Sequence, residues 1–470
     1  MAVAIVVLAT GVAAAGPPIV QSLSQMSSDN QVFTWHSAPS LSVPRASPSV
    51  VVLANGNILV TGGLTIGSTP TATTEIFDLA ASAWKPGPAM TMKRVGHTAT
   101  LLNDGTVLIT GGQTGAGTTS SAEILNTASM SATAIPSMNF ARAGHAAVLL
   151  GDGKVLVTGG SDFVSNTWKQ AESYDPSAHK WLPAGNMALP RLFLSLRMLS
   201  NGTALAIGGD QTGTSEMYDP SSNSWLGLTT MNSIRSGSGA VTLSDGRVLV
   251  AGGLVSGSPI RSAEIFTPGT SKWTSAGSMR SPRASFSITV MNNGTVLAAG
   301  SYSGLGTTSA VESFNPGNST WTSVHPMNVS RGAQGYAVVS GGSVFEIGGW
   351  SNGAITSSVE VFSPAAPVSP PPKPPPPKPL MPIDLVPLVR ACKELPGNSA
   401  NGLIAKLTAA QAKYDLKEFA VCINIMNAFY NQVRAFSISG HMTEHHVEVL
   451  YSGYASVLSY IGGTPLPPIG

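Results

Sequence analysis

Charge is scarce in this chain. Lys and Arg (25) and Asp and Glu (23) make up 10% of its 470 residues, against roughly 25% in ordinary soluble domains. The formal net charge of +2 leaves no basic field for nucleic acid and no acidic field for cations. Cysteine is nearly absent. Two residues, Cys392 and Cys422, exclude a disulfide scaffold and a thiolate zinc domain. The scarcity of charge is not disorder, because 43% of the residues are apolar. No segment after the amino-terminal leader reads as a bilayer span. What is abundant is Gly (51) and Pro (34), a composition of frequent turns and few long helices. The length allows two or three domains and a sizeable core.

The first fifteen residues, MAVAIVVLATGVAAA, are apolar and end in small residues before Gly16-Pro17-Pro18. This resembles the apolar region and cleavage site of a secretory signal peptide, without its basic start. As a helix the run reaches about 22 Å, short of a ~30 Å hydrocarbon core. Residues 1–15 are therefore expected to be a signal peptide, with a retained membrane or pilin-like anchor as the alternative, and residues 16–30 a leader; the protein is expected to be extracellular or cell-surface.

A repeat organises residues 31–364. Tight turns recur at Asn55-Gly56, Asp104-Gly105, Asp152-Gly153, Asn201-Gly202, Asp245-Gly246, Asn293-Gly294 and Gly341-Gly342, each between two apolar runs, as in HTATLLNDGTVLITGG. That is a strong hairpin signal. An arginine stands eleven residues before each turn glycine: Arg45, Arg94, Arg142, Arg191, Arg235, Arg283 and Arg331. A Gly pair closes each hairpin, except in the sixth copy, which has Gly300-Ser301. A glutamate then follows every time, at Glu75, Glu123, Glu172, Glu216, Glu264, Glu312 and Glu360. Nine residues later stands a tryptophan (Trp84, Trp181, Trp225, Trp273, Trp321), with Ala132 as the exception. The glutamate stands 12, 11, 12, 7, 11, 11 and 11 positions after the second residue of the pair, so the loops between vary in length.

A period near 48 residues, with four short strands per unit, predicts the blade of a β-propeller. The pattern R-x-x-H, DG-x-VL-x-TGG, E-x-YDP, W, M-x-x-x-R resembles the kelch repeat across residues 31–364. Trp35 lies ten residues before Arg45, and the last copy lacks its tryptophan strand. The expected fold is all-β: a seven-bladed kelch-type β-propeller closed by an N-terminal strand, plus a small C-terminal α-helical domain.

Residues present in every blade are expected to be scaffold. Buried charges persist when paired and hydrogen-bonded, so the repeated Arg and Glu read as a ring of ion pairs tying strands or blades. Met90, Met138, Met187, Met231, Met279 and Met327, with Leu41 in the seventh place, read as packing. His97 and His145 read as core or channel residues. Departures from the repeat are where function is expected. Glu346 and Arg197 break columns that are otherwise apolar or Thr, and either could line the central channel or be solvated locally. The variable loops share one face, and loops on a rigid scaffold are the usual carriers of recognition. They hold Phe163, Trp168, Tyr302 and Trp350, with Asp162 and Asp210. Aromatic platforms beside small polar groups suit sugar or peptide, although these rings could equally pin their own loops.

The superfamily resemblance also raises galactose-oxidase-like copper chemistry, which implies a Cys–Tyr crosslink, a second tyrosine and two histidines. Here both cysteines lie beyond the propeller, so the crosslink cannot form within the ring. Sialidase-type S-x-D-x-G-x-x-W boxes are absent, and residues 31–364 hold no P-loop, His-x-x-x-His pair or Ser/His/Asp set. No catalytic residue, metal or cofactor is expected.

Residues 365–382 form a Pro-rich linker, part of a stretch with eleven prolines in nineteen residues that reads as a polyproline-II spacer. Residues 383–462 switch to helical periodicity, and 463–470 are a tail. The strings NGLIAKLTAAQ and INIMNAFYNQV resemble the FIMAH module, which occurs at the ends of secreted bacterial and archaeal proteins. Cys392 and Cys422 could form a disulfide within it. His441, His445 and His446, with Glu444 and Glu448, have poor metal spacing and read as a solvated face. Four Asn-x-Ser/Thr triplets occur, at Asn201, Asn293, Asn318 and Asn328. The expected function is non-catalytic binding of a protein or glycan, with no nucleic acid and no transmembrane span. The alternatives are an envelope or filament assembly protein that uses the C-terminal module, and a carbohydrate-active enzyme.

Overall fold

The computed structural model describes residues 33–227, 230–303, 306–364, 382–391, 395, 398–439, 442 and 444–460. The chain divides into two compact units between Ala365 and Ala366. The first is a ring of seven antiparallel blades, each with four main strands. Blade 1 shows the build: Ser49–Val52, Ile58–Thr61, Thr74–Asp78 and Ala83–Pro86 pair in sequence order. Its first turn closes tightly, with Gly56 at φ 86° and its N–H on the Leu53 carbonyl at 2.8 Å. Asn-Gly suits this turn because glycine carries positive φ without a Cβ clash. The first strands of successive blades contact one another around the ring, so they lie innermost. The second strand is buried throughout and the fourth is mostly exposed, which explains the run Ile58-Leu59-Val60 and the polar character farther out.

The repeated residues build the seams. Each Arg is wholly buried and meets the Glu of its own repeat at 2.7 to 3.1 Å. Each Glu also accepts the backbone N–H three residues before that Arg, as Asn232 N–H does for Glu264 at 2.7 Å. The Arg Nη1 donates to the carbonyl of the first glycine of the pair, as Arg235 does to Gly252 at 2.8 Å. The ion pair thus joins the first, second and third strands of one blade. Blade is tied to blade by the backbone: the residue after that glycine donates to the carbonyl of the next blade's Arg. A Cβ on Gly62 or Gly300 would lie 2.6 Å from that carbonyl oxygen. Blade 6 keeps Gly300 and carries Ser301 at the second place, where its backbone lacks the positive φ of the other copies. The tryptophans add a second tie, each donating its indole N–H to the preceding blade, such as Trp84 to Pro39 O and Trp273 to Ser215 Oγ. The six methionines and Leu41 are buried.

Blade 7 contains Gly335–Val338, Val344–Ile347, Val359–Pro364 and the amino-terminal Phe33–Ala38, which pairs with Val359–Pro364. The ring closes as expected, so the last blade does not lack its outer strand.

The second unit is helical: α1 (Val386–Ala391), α2 (Ser399–Asp415), α3 (Phe419–Ile438) and α4 (Glu444–Tyr460). Its core includes Leu403, Leu407, Met426, Phe429, Tyr430 and Tyr454. Cys422 is a buried free thiol, and burial pushes its pKa up. The expected Cys392–Cys422 bridge is thus not made in this structure, and Cys392 lies outside the described residues. The expected signal peptide, the leader at residues 16–30, most of the Pro-rich linker and the tail also lie outside them. Among the described residues no helix is long and apolar enough to cross a membrane.

Candidate functional site: a notch above blade 4

Five of the variable loops fold as small hairpins standing on blades 1, 2, 5, 6 and 7. Blades 3 and 4 differ. The blade 3 loop is wrapped around Asp162, whose carboxylate accepts the N–H groups of Val164, Ser165 and Asn166 at 2.9, 3.0 and 2.9 Å. These bonds, led by Asn166, hold its pKa far below the ordinary carboxylate value. The blade 4 loop is the shortest, six residues between Gly209 and Glu216, too short for a hairpin. A notch of about 780 Å³ opens over it, lined by residues of blades 3, 4 and 5. This volume suits a drug-sized ligand or a few peptide side chains.

The lining of the notch is mixed: seven of its fifteen residues are apolar, among them Leu189, Pro190, Leu192, Phe193, Ile234 and Leu254. Its polar lining includes Asp210, Gln211, Thr212, Ser236 and Ser256. Asp210 is 7% exposed. Its Oδ2 accepts the Thr214 hydroxyl at 2.6 Å and N–H at 3.1 Å, and its Oδ1 lies 3.3 Å from Arg191 Nη1. Burial works against its charge, but the Thr212 and Thr214 hydroxyls and Arg191 outweigh it and hold the pKa below the ordinary value. Asp210 therefore sits ionised at the notch as a second acid for Arg191, beside Glu216. Its first role is to latch the short loop.

Phe193 is the unusual wall. It lies two residues after its Arg, where the other blades have Ser47, Gly96, Gly144, Gly237, Ser285 and Ala333, all at positive φ. Phe193 keeps that conformation, φ 54°, which is strained for a bulky residue. Its ring rests on Gly144, where an added Cβ would meet it at 2.6 Å, and faces Phe163 with centroids 6.1 Å apart. One large residue in a column of small ones is a signal in the sequence that attention to the loops alone passes over.

The remaining candidate residues fall elsewhere. Trp168 is half-buried, donates Nε1–H to Ala141 O at 2.8 Å and packs on Phe140 at 5.0 Å. It pins its own loop, and its neighbour Thr167 lines the notch. Tyr302 and Trp350 meet at 6.3 Å at the junction of blades 6 and 7, and Trp350 packs against Leu64, Val95 and Ile355. The aromatic residues form separate groups, not one platform.

Arg197 and Glu346 are not on the loop face. Arg197 lies on an inner strand, half-buried, and donates to Ala240 O from Nε and Nη2 and to Leu196 O from Nη1. Glu346 is neither solvated nor exposed in a channel: it is 0% exposed, bonded to Ser287 Oγ, and directly across from Tyr336 and Glu360 in the strand register. Burial first, with the neighbouring Glu360, pushes its pKa up to about 8 against the pull of Ser287, Arg331 and Gln334. Tyr336 feels both Arg197 and Glu346 electrostatically, so the two departures meet at a residue that the repeat pattern did not single out. The buried histidines are neutral. His97 Nε2 is 2.9 Å from Thr61 Oγ1, and His145 Nε2 is 3.1 and 3.0 Å from the hydroxyls of Thr98 and Thr110. Burial and nearby arginines lower the pKa of His97 to about 3.

Fold and site define a seven-bladed β-propeller with a notch of mixed polar and apolar lining on its loop face. Three stretches of the repeat are matched by the Kelch motif family model, residues 142–188, 235–280 and 337–366. A search of curated proteins finds no match. Among solved structures, the chain is similar to a fungal alcohol oxidase of the AA5 family in complex with copper. The two are 19% identical with a TM-score of 0.59, over 72% of this chain and 77% of that one. The likeness is one of fold. The residues here do not fit a thioether–copper centre, because neither cysteine belongs to the propeller. Tyr174 and Tyr218 are spent on His179 and Asn223 at the tight-turn face. Among the described residues no group of three His, Cys, Asp or Glu side chains could hold a metal.

Proposed function

We propose that this chain is a non-catalytic binding protein acting outside the cell or on its surface, with the loop face receiving a protein ligand. The kelch propeller is commonly a protein-binding module, and the observation that carries the reading is the notch. Its mixed lining, with Leu189, Pro190, Leu192, Phe193, Ile234 and Leu254 beside polar groups such as Gln211 and Ser236, suits the apolar side chains and backbone of a protein segment. The extracellular setting is supported by the apolar leader and by the resemblance of residues 383–462 to the FIMAH module. The test is a peptide and glycan array probed with the full chain, repeated with Ile234→Glu. Ile234 lines the notch and is 39% exposed, so a charge there should abolish peptide binding while leaving the fold intact. Glycan binding indifferent to this variant would overturn the reading.

A second reading, self-assembly through the helical unit, is favoured by one observation. Leu416, Phe419 and Val421, around the α2–α3 turn, are 65%, 39% and 41% exposed. Light scattering across a concentration series distinguishes the two, since a monomer throughout would remove this reading.

A further inference from the structure

Three Asn-x-Thr triplets share one geometry on the tight-turn face, opposite the notch. Asn201-Gly202-Thr203 and Asn293-Gly294-Thr295 are hairpin turns of blades 4 and 6, and Asn318-Ser319-Thr320 leads into the outer strand of blade 6. All three asparagines are exposed. In each, Oδ1 accepts the hydroxyl of the Thr two residues on, at 2.7 Å. It also accepts that residue's N–H, at 3.1, 3.0 and 3.2 Å. The motif closes within three residues, so it can form from local sequence in a nascent chain as well as in the fold. Two hydrogen bonds drawn by Oδ1 pull electron density from the carboxamide and make its Nδ2–H more acidic. No described residue engages Nδ2.

The fourth triplet is built differently. Asn328-Val329-Ser330 runs toward buried Arg331 on the loop face, and the N–H groups of Asn328 and Val329 are held by Glu360 at 2.7 and 3.1 Å. The Ser330 hydroxyl donates to Asn352 Oδ1 at 3.0 Å and accepts from the Thr307 hydroxyl at 3.2 Å, so its proton is not given to Asn328. Nor is a carboxamide needed for the turns: Asp104 makes the same bonds to Thr106 in blade 2.

We propose that Asn201, Asn293 and Asn318 are N-glycosylation sites and that Asn328 is not. In the transfer, Nδ2 bonds to the anomeric carbon of a lipid-diphosphate-linked oligosaccharide. The bond from that carbon to the diphosphate oxygen breaks, the lipid diphosphate leaves with the electron pair, and the Nδ2 proton passes to a base of the transferase. The glycans would cover the tight-turn face and leave the notch open. Their occurrence in the organism rests on the extracellular part of the proposed function.

The experiment separates the two. The full chain is translated into microsomes behind a cleavable secretion signal, and only protease-protected molecules are analysed by glycopeptide mass spectrometry, before and after peptide N-glycosidase. Expected are three glycans, with occupancy at Asn201, Asn293 and Asn318 severalfold above that at Asn328, and loss of one glycan in each of Asn201→Gln, Asn293→Gln and Asn318→Gln. Translocated chain without glycan at these three, or with Asn328 occupied equally, overturns the proposal. Translocation by the chain's own leader is measured separately and bears on the extracellular reading alone.

Discussion

The N–H of Gly349, in the last blade, donates to the carbonyl of Arg45, ahead of the first, at 2.9 Å. The same bond joins every neighbouring pair of blades, so closure repeats a seam already made six times within the chain. Gly349 is at φ 100°, and a Cβ there would lie 2.8 Å from Gly332 O. Gly349→Ala should therefore cost roughly 1–3 kcal/mol of strain, read as a lower urea midpoint. An unchanged midpoint would show that the closing seam is soft.

The Arg–Glu pairs allow a sharper test. Glu264 is the partner of Arg235, within one repeat, and the Arg283 pair is with Glu312. Glu264→Ala strands a wholly buried guanidinium and two backbone donors, Asn232 and Ser233. The expected cost is about 3–5 kcal/mol. Glu264→Gln keeps an acceptor oxygen and should cost less. Equal, small losses in the two variants by chemical denaturation would mean that the pair contributes little.

Much of this fold is legible because it is periodic. One blade's pattern, repeated in register, gives the strand count, the closure by Trp35 and the scaffold role of Arg, Glu and Met. The repeat cannot say whether each Glu serves its own Arg, 25 to 30 residues before it, or the next, 19 residues after it, because separation along the chain does not decide which is near in space. The notch is half legible. The short blade 4 loop stands out, but its walls come from segments flanking the arginines, which look repetitive. Phe193 is visible as one large residue in a column of small ones, and Tyr336 as one aromatic in a column of Val50, Ala99, Ala147, Leu196, Ala240 and Ile288. Large residues in loops draw the eye instead, and Trp168 is held by Phe140 and Ala141. Side-chain partners of that kind leave no trace in spacing.

Glu346 should make stability depend on pH. Its folded pKa is raised from 4.5 to about 8, so the folded state holds a proton that the unfolded chain releases between these values. Its contribution is fully present below about pH 4.5 and is lost as pH rises through about 8, at up to about 1.4 kcal/mol per unit. The charged and titratable groups facing it are Arg331, Glu360 and Tyr336, with Ser287 and Gln334 as uncharged partners. Glu346→Gln should remove this slope, so its stability relative to the wild type should grow from pH 5 to about pH 8. Parallel pH profiles would place the proton elsewhere.

Copper should not turn the chain into a radical oxidase. His97 and His145 are buried and bonded to threonine hydroxyls, and the propeller has no cysteine for the crosslink. Copper-treated protein should show no tyrosyl-radical absorbance and release no peroxide from galactose. A radical band in the wild type would refute this.

Phe193 separates recognition from stability. Its backbone sits where an L side chain costs about 1–2 kcal/mol, and glycine would relieve that strain at an entropic cost of about 0.5–1 kcal/mol. Its ring is only half-buried, so less than a full core side chain is lost on truncation. Phe193→Gly should therefore melt within a few degrees of the wild type while losing ligand affinity with Ile234→Glu. Trp273→Ala is the opposite case: a 9% exposed ring bonded to Ser215 and packed on Phe266, whose loss should cost about 3–5 kcal/mol. Trp168→Ala should fall between them in stability, because its indole ties the blade 3 loop to Ala141, and Trp350→Ala should spare binding at the notch. Melts and binding isotherms on the variants decide it. A Phe193→Gly protein that binds as tightly as the wild type would show that the strained ring is a relic of packing, and the notch would lose its strongest claim to be the recognition site.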